Sequence, residues 1–239
     1  MNIHGATALV TGAGRGIGRH LAAQLVERGA KVYATARRPG SIDLDGVEVL
    51  ALDISDPDVV AAAVRQAGDV NLLVNNAGIG GGALLGDLEA VRAALDVNFW
   101  GTLSMARAFA PVLAANGGGA IVNIASSASW LVFPGHGAYA VSKAAVWNMT
   151  NALRQELAGQ GTLVTSVHLG AADTAMMAGY DVPKMDPADV ARITLDGVEA
   201  DAFEVIVDEY TEMVKAWLSK DRREFDGHLQ QLFQQFLDA

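Results

Sequence analysis

Ala6-Thr7-Ala8-Leu9-Val10-Thr11-Gly12-Ala13-Gly14-Arg15-Gly16-Ile17-Gly18 is the stretch that decides the fold. Ala6 to Val10 is short, apolar and contains β-branched residues, as a buried strand requires. Beyond the glycines, Ile17, Leu21 and Leu25 recur every four residues with Ala22 and Val26 beside them, the pattern of a buried helix face. Strand, glycine loop and helix, in that order, is the setting in which such a loop can cradle a pyrophosphate. Gly12, Gly14, Gly16 and Gly18 permit the tight turn and close backbone approach. The helix then offers free N–H groups and the positive end of its dipole.

The same alternation continues along the chain. Apolar runs predict strands near 6–11, 31–36, 47–52, 70–75, 119–125, 162–168 and 203–207. Helical periodicity falls between them, near 17–28, 56–67, 87–115 in two segments, 138–158 and 187–199. Regular alternation implies a parallel sheet covered on both faces, a doubly wound α/β Rossmann fold. No internal repeat or low-complexity linker interrupts it, so residues 1–239 read as one domain. Residues 171–186 lack periodicity; a loop that long is usually functional or disordered. From 209 onward a C-terminal helical extension is expected. Met213, Val214, Trp217 and Leu218 suggest one amphipathic helix; Phe225, Leu229, Leu232, Phe233 and Phe236 form a second apolar stripe over 221–239.

Chemistry enters at Tyr139-Ala-Val-Ser-Lys143. Positions i and i+4 share a helix face. A phenol titrates near 10, and a neighbouring ammonium favours its ionised form. Ser126, thirteen residues upstream, offers a hydroxyl to an oxygen that is becoming an alkoxide. Such a set can move a proton on or off a carbonyl oxygen.

Thr11-Gly-x-x-x-Gly-x-Gly18, Asn75-Asn76-Ala77-Gly78, Asn98, Ser126, Tyr139-x-x-x-Lys143 and Gly170-x-x-x-Thr174 stand in this order from about Ala6 to Ala200. The chain thereby resembles the short-chain dehydrogenase/reductase family in its NADP(H)-preferring type. The resemblance implies a sheet order of 3-2-1-4-5-6-7 and a homodimer or homotetramer. It implies catalytic roles for Asn98, Ser126, Tyr139 and Lys143: Tyr139 as acid/base, Lys143 lowering its pKa and holding the nicotinamide ribose, Ser126 on the carbonyl oxygen, and Asn98 on a water behind Lys143. Asp53, with Ile54 beside it, would bond the adenine amino group. Asn76, Ala77 and Gly78 would line the adenine–ribose side, and Thr174 the carboxamide. Where the family usually has Pro-Gly, this chain has Leu169-Gly170, so a looser loop is expected there. Residues 171–186 fall at the family's substrate loop.

The end of the second predicted strand selects the cofactor. An NAD site usually places an acid there, on the ribose 2′-hydroxyl. Here Ala36 holds that position, followed by Arg37 and Arg38, with Arg15 in the glycine loop. Guanidinium forks suit a 2′-phosphate, which favours NADP(H). The substrate pocket is expected from Trp130, Leu131, Val132, Phe133 and His136, together with Met176, Met177 and Tyr180. That lining is mainly apolar and suits a ketone, aldehyde or secondary alcohol. The leading expectation is an NADPH-dependent carbonyl reductase, reversible as a secondary alcohol dehydrogenase. Its alternatives are an NAD-dependent oxidative alcohol dehydrogenase of the same fold and a non-catalytic dinucleotide-binding regulator.

Composition excludes other classes. The 239 residues are 51% hydrophobic with a formal net charge of -10, and the pI is about 4.8. That balance argues against a nucleic-acid partner, which wants a basic face. No cysteine is present, so there is neither a disulfide framework nor a thiolate metal site. His4, His20, His136, His168 and His228 have no metal-ligand spacing, and no Gly-x-Ser-x-Gly elbow marks a hydrolase. The first residues show no signal-peptide pattern. The charge-poor stretch 108–142 is interrupted by Pro111, Gly117-Gly118-Gly119 and Pro134, so no membrane span is expected and the cytoplasm is the expected compartment.

Overall fold

A computed structural model of the chain describes residues 1–227. Seven parallel strands form one sheet: β1 (Thr7–Thr11), β2 (Lys31–Ala36), β3 (Val47–Ala51), β4 (Leu72–Asn75), β5 (Gly119–Ile124), β6 (Thr162–His168) and β7 (Glu204–Ile206). Their order is β3-β2-β1-β4-β5-β6-β7, as the resemblance implied. Beyond the first residues of β1 and β5 the central strands are buried throughout, which is why they read as continuous apolar runs rather than alternations.

Helices cover both faces. On one, α1 (Gly16–Glu27) and α6 (Pro187–Glu199) bury Leu21, Leu25, Val190, Leu195 and Val198 against β1, β2 and β4. On the other, α2 (Pro57–Gln66), α4 (Thr102–Ala115) and α5 (Gly137–Glu156) bury Val60, Met105, Phe109, Leu113, Val146 and Leu153. Each fully buried side chain of this size contributes about 1.5–3 kcal/mol. Aspartates at the N-caps of several helices accept orphan backbone N–H groups: Asp56 for α2, Asp87 for α3 (Leu88–Leu95) and Asp186 for α6.

The two helical segments expected over 87–115 are joined by a π-helical turn, Asp96–Gly101. Pro111 does not break α4; the helix runs through it and stops at Asn116, before Gly117 and Gly118 at positive φ. Among the described residues, no helix is long and apolar enough to cross a membrane.

Beyond β7, α7 (Glu209–Trp217) lies where the first helix of the extension is expected; it buries Val214, while Leu218 just after it is exposed. Residues 222–227 are helical, and Phe225 is buried in a third cluster with Trp130, Leu131 and Val214. Leu229, Leu232, Phe233 and Phe236 lie outside the described residues.

Candidate active site

The C-terminal ends of the strands carry the site, as in other open α/β sheets. At the end of β1, Gly16 has φ +54, a left-handed value that a side chain rarely adopts. Gly18 is required by packing: a Cβ there would lie 2.3 Å from Asn76 Nδ2 and 2.4 Å from the Gly12 carbonyl oxygen. Asn76 draws β4 to the loop by donating to the Thr11 and Gly12 carbonyls at 2.9 and 3.3 Å. The backbone N–H groups of Asn76 and Ala77 both donate to the Thr11 hydroxyl at 2.9 Å. One strand further, the Asn75 amide donates to Asn123 at 2.9 Å, linking β4 and β5.

The residues present fit a dinucleotide phosphate. Helix α1 begins directly after the glycine loop, and Arg15 at its N-cap makes no side-chain capping bond. Its first N–H groups therefore have no side-chain acceptor from that position. Arg15, Arg37 and Arg38 are exposed and form no ion pair among the described residues. Ala36, where an acid would stand against NADP, is half-buried at the strand end. Asp53 accepts from the Ser55 N–H at 3.0 Å and its hydroxyl at 2.6 Å. Those bonds hold its carboxyl below the usual range, with Arg37 adding to the effect through its charge. Asp56, not Asp53, caps α2. Ile54 is buried beside Gly101.

Asn98 sits on the π-helical turn, fully buried, a kind of irregularity frequent at functional sites. Its Oδ1 accepts from the Ile79 N–H at 2.8 Å; its Nδ2 donates to the Ile79 carbonyl and the Ser142 hydroxyl, both at 2.9 Å. Ser142 passes the chain on to the Tyr139 carbonyl at 2.7 Å. Sequence reasoning missed Ser142, whose partner lies 44 residues away. A Cβ on Gly78 would lie 3.1 Å from Asn98 Oδ1 and 3.7 Å from Lys143 Nζ, so the glycine leaves those groups their space.

Tyr139 and Lys143 project from the first turns of α5. The Lys143 ammonium is buried, donates to the Ile124 carbonyl at 2.7 Å, and is pushed down to about 8 by desolvation. Tyr139 is raised above the usual phenol value by burial; the Ser126 hydroxyl, close enough to hydrogen-bond, works against that rise. The expected lowering by Lys143 is therefore not what this geometry gives: desolvation dominates, and the opposing pull comes from Ser126. Ser126 is itself held by the Ala128 N–H at 3.1 Å.

His168 lies fully buried behind Ser126, a packed and hydrogen-bonded residue as its strand-end position suggested. Its Nδ1 pairs with the Ser126 carbonyl at 3.1 Å, and its ring stacks on Trp130 at 4.0 Å. Trp130 and Leu131, expected at the substrate pocket, are buried in the cluster beneath α7, where Trp130 also packs edge-on against Trp147. Phe133 packs against the same cluster. Val132, Met176 and Tyr180 are exposed, and Met177 is half-buried. His136 Nε2 and the Tyr180 hydroxyl stand 3.2 Å apart, joining the segment before α5 to the 171–186 loop.

That loop returns the chain to the glycines. A Cβ on Gly16 would lie 3.1 Å from the Thr174 methyl group. The looser loop expected from Leu169-Gly170 is also corrected: the Leu169 carbonyl accepts from the Ser127 N–H at 2.8 Å, and the Gly170 N–H donates to Asp208 at 2.7 Å. Glycine loop, Asn76-Ala77-Gly78, Lys143, Tyr139, Ser126, Gly170 and Thr174 thus follow one another around the strand ends. Such a ring can hold a dinucleotide on one side and exchange a proton on the other. Among the described residues, no group of His, Asp and Glu could hold a metal ion.

This fold and site define a dinucleotide-binding oxidoreductase of the doubly wound α/β class. The family model for short chain dehydrogenases matches residues 6–183. An uncharacterized oxidoreductase of Staphylococcus aureus is 34% identical over 204 residues, 79% of this chain and 88% of that protein. The 1-deoxy-11-beta-hydroxypentalenate dehydrogenase of Streptomyces exfoliatus is 34% identical over 228 residues, 85% of this chain and 83% of that protein. A short chain dehydrogenase from Burkholderia cenocepacia, crystallised with NADP, superposes with a TM-score of 0.91 at 38% identity, covering 96% of this chain and 99% of that one. The chain belongs to the short-chain dehydrogenase/reductase family.

Proposed function

We propose that the protein is an NADP(H)-dependent carbonyl reductase, reversible as a secondary alcohol dehydrogenase, acting on a mainly apolar ketone, aldehyde or alcohol. The observation that carries this reading is the approach of Ser126, Tyr139 and Lys143 to one another, with Lys143 beside Gly78. The exposed arginines and the NADP held by the Burkholderia protein support the cofactor.

NADPH supplies the hydride when bound. Gly12 to Gly18 and the start of α1 hold its pyrophosphate; Arg15, Arg37 and Arg38 hold the 2′-phosphate. Asp53 and Ile54 bound the adenine side, and Thr174 the carboxamide side. Ser126 holds the substrate oxygen. Tyr139, kept protonated by its desolvated setting, gives its proton to that oxygen and takes it back in the oxidative direction. Lys143 supplies positive charge beneath Tyr139, and Asn98 holds the Ile79 backbone after β4 and the Ser142 hydroxyl behind them. Apolar side chains at the mouth, Leu84 against Gly137 together with Val132 and Met176, favour an alkyl or aryl body over a charged one.

A homodimer or homotetramer belongs to the same reading. It follows from the family resemblance, whose members of this type are commonly dimers or tetramers. Light scattering of the purified protein tests that point. Activity is tested by screening ketones, aldehydes and alcohols with each nicotinamide cofactor at the nicotinamide absorbance. Turnover of apolar carbonyls with NADPH is expected. NADH-only turnover would move the reading to the oxidative NAD enzyme, and cofactor binding without turnover on any carbonyl to a regulator.

A further inference from the structure

One peptide plane joins the two halves of the site. The Leu169 carbonyl and the Gly170 N–H belong to the same peptide unit. Its oxygen faces the serine segment, accepting from the Ser127 N–H at 2.8 Å and lying 3.5 Å from the Ser126 hydroxyl. Its N–H faces the other way, donating to Asp208 Oδ2 at 2.7 Å. Four residues further on stands Thr174, against Gly16. The orientation of this one plane therefore affects both Ser126 and the loop that carries Thr174.

Asp208 uses its two oxygens for two tasks. Oδ1 accepts from the Thr211 N–H at 2.8 Å and caps α7; Oδ2 accepts from Gly170. A cap needs only one acceptor, so the second oxygen serves the loop after β6. Proline at position 169 would stiffen this turn through its fixed φ. Leucine supplies no such restraint, and the carboxylate restrains the plane from outside. Gly170 lies close under both partners: a Cβ there would come within 3.2 Å of Tyr210 Cδ1 and 3.4 Å of Asp208 Oδ1, so a side chain at this position would crowd the carboxylate.

We infer that Asp208 is a positioning residue for the reaction: it pins the Leu169–Gly170 peptide plane and so holds Ser126 and the Thr174 loop in register across the cofactor site. Its effect on binding rests on the NADP(H) reading above. Its effect on the backbone does not.

The test separates the two oxygens. Asp208→Ser keeps a capping hydroxyl for Thr211 but is too short to serve Gly170. Asp208→Asn keeps one carbonyl oxygen and turns a donor toward the second N–H. Both are compared with the full-length wild-type enzyme by hydrogen exchange of residues 169–177, NADPH titration, kcat and KM, and thermal melting. The expected result is faster exchange across 169–177 and about a tenfold or greater rise in the NADPH Kd, since hydrogen bonds to charged groups are the stronger kind. The Ser variant should melt close to wild type. Unchanged exchange at 169–177 in both variants overturns the clamp. So does faster exchange with unchanged Kd, KM and kcat per folded molecule, because the plane would then move without consequence. Wild-type protein that fails to bind NADPH would overturn the cofactor reading, while the exchange comparison would still decide whether Asp208 holds the plane.

Discussion

The Lys143 ammonium stands 5.7 Å from the centre of the Tyr139 ring, one turn further along the same helix. It donates a hydrogen bond to the Ile124 carbonyl, and the group that opposes the rise in the Tyr139 pKa is the Ser126 hydroxyl. Tyr139 is left as a desolvated, protonated acid beside Ser126.

Tyr139→Phe removes the transferable proton and almost no volume. Carbonyl reduction is expected to fall by at least about a hundredfold, the low end of general acid contributions. The NADPH Kd, followed by fluorescence, should change little. Near-normal turnover in this variant would place the acid elsewhere.

Arg37 directly follows β2, and its charge is felt at Asp53 across the strand ends. Arg37→Asp replaces a phosphate partner with a repelling carboxylate and restores an acid near the 2′-hydroxyl. The ratio of kcat/KM for NADPH to that for NADH should drop by about tenfold or more. An unchanged ratio would remove Arg37 from the cofactor site.

The sheet was legible because its central strands are buried on both faces and its helices carry plain periodicity. Segments such as Leu72–Asn75 and Pro187–Glu199 could be placed to within a few residues. Tyr139, Lys143, Ser126 and the glycines could be named because each lies in a local pattern. The contacts that orient them could not. Asn98 meets Ser142 over a span of 44 residues, and Gly170 meets Asp208 over 38. Asp208 does carry a local signal, a capping acid before Glu209-Tyr210-Thr211, but nothing local announces its second oxygen. The contacts of Trp130 were hidden for the same reason. An indole next to a site serine reads as pocket lining until His168 and Trp147 close on it.

His168 gives a pH dependence of stability. Burial pushes its pKa down to about 4 from 6.5, so folding favours the neutral ring. The unfolded chain binds the extra proton first as pH falls. Stability from this residue is therefore full above about pH 6.5 and lost as pH drops toward 4, about 3 kcal/mol in all. His168→Asn retains a donor for the Ser126 carbonyl but does not titrate. Its urea midpoint should vary less between pH 7 and 4.5 than that of the wild type. Parallel slopes for the two proteins would assign the acid sensitivity to other groups.

Lys143 sets the upper pH limit for reduction. Tyr139 stays protonated well past neutrality because burial raises it, so it is not the first group to fail. Lys143 is pushed down to about 8 and loses its charge before the phenol does. The kcat/KM of the free enzyme for carbonyl reduction should be level below about pH 7 and decline through pH 8. Lys143→Arg puts a cation there that does not titrate in this range. Misfit of the planar fork should lower its activity, since the ammonium sits between the Ile124 carbonyl and Gly78 with little room. Its profile should nevertheless lack the decline near pH 8. A decline that persists unchanged in Lys143→Arg would show that another group, not Lys143, governs the alkaline limb.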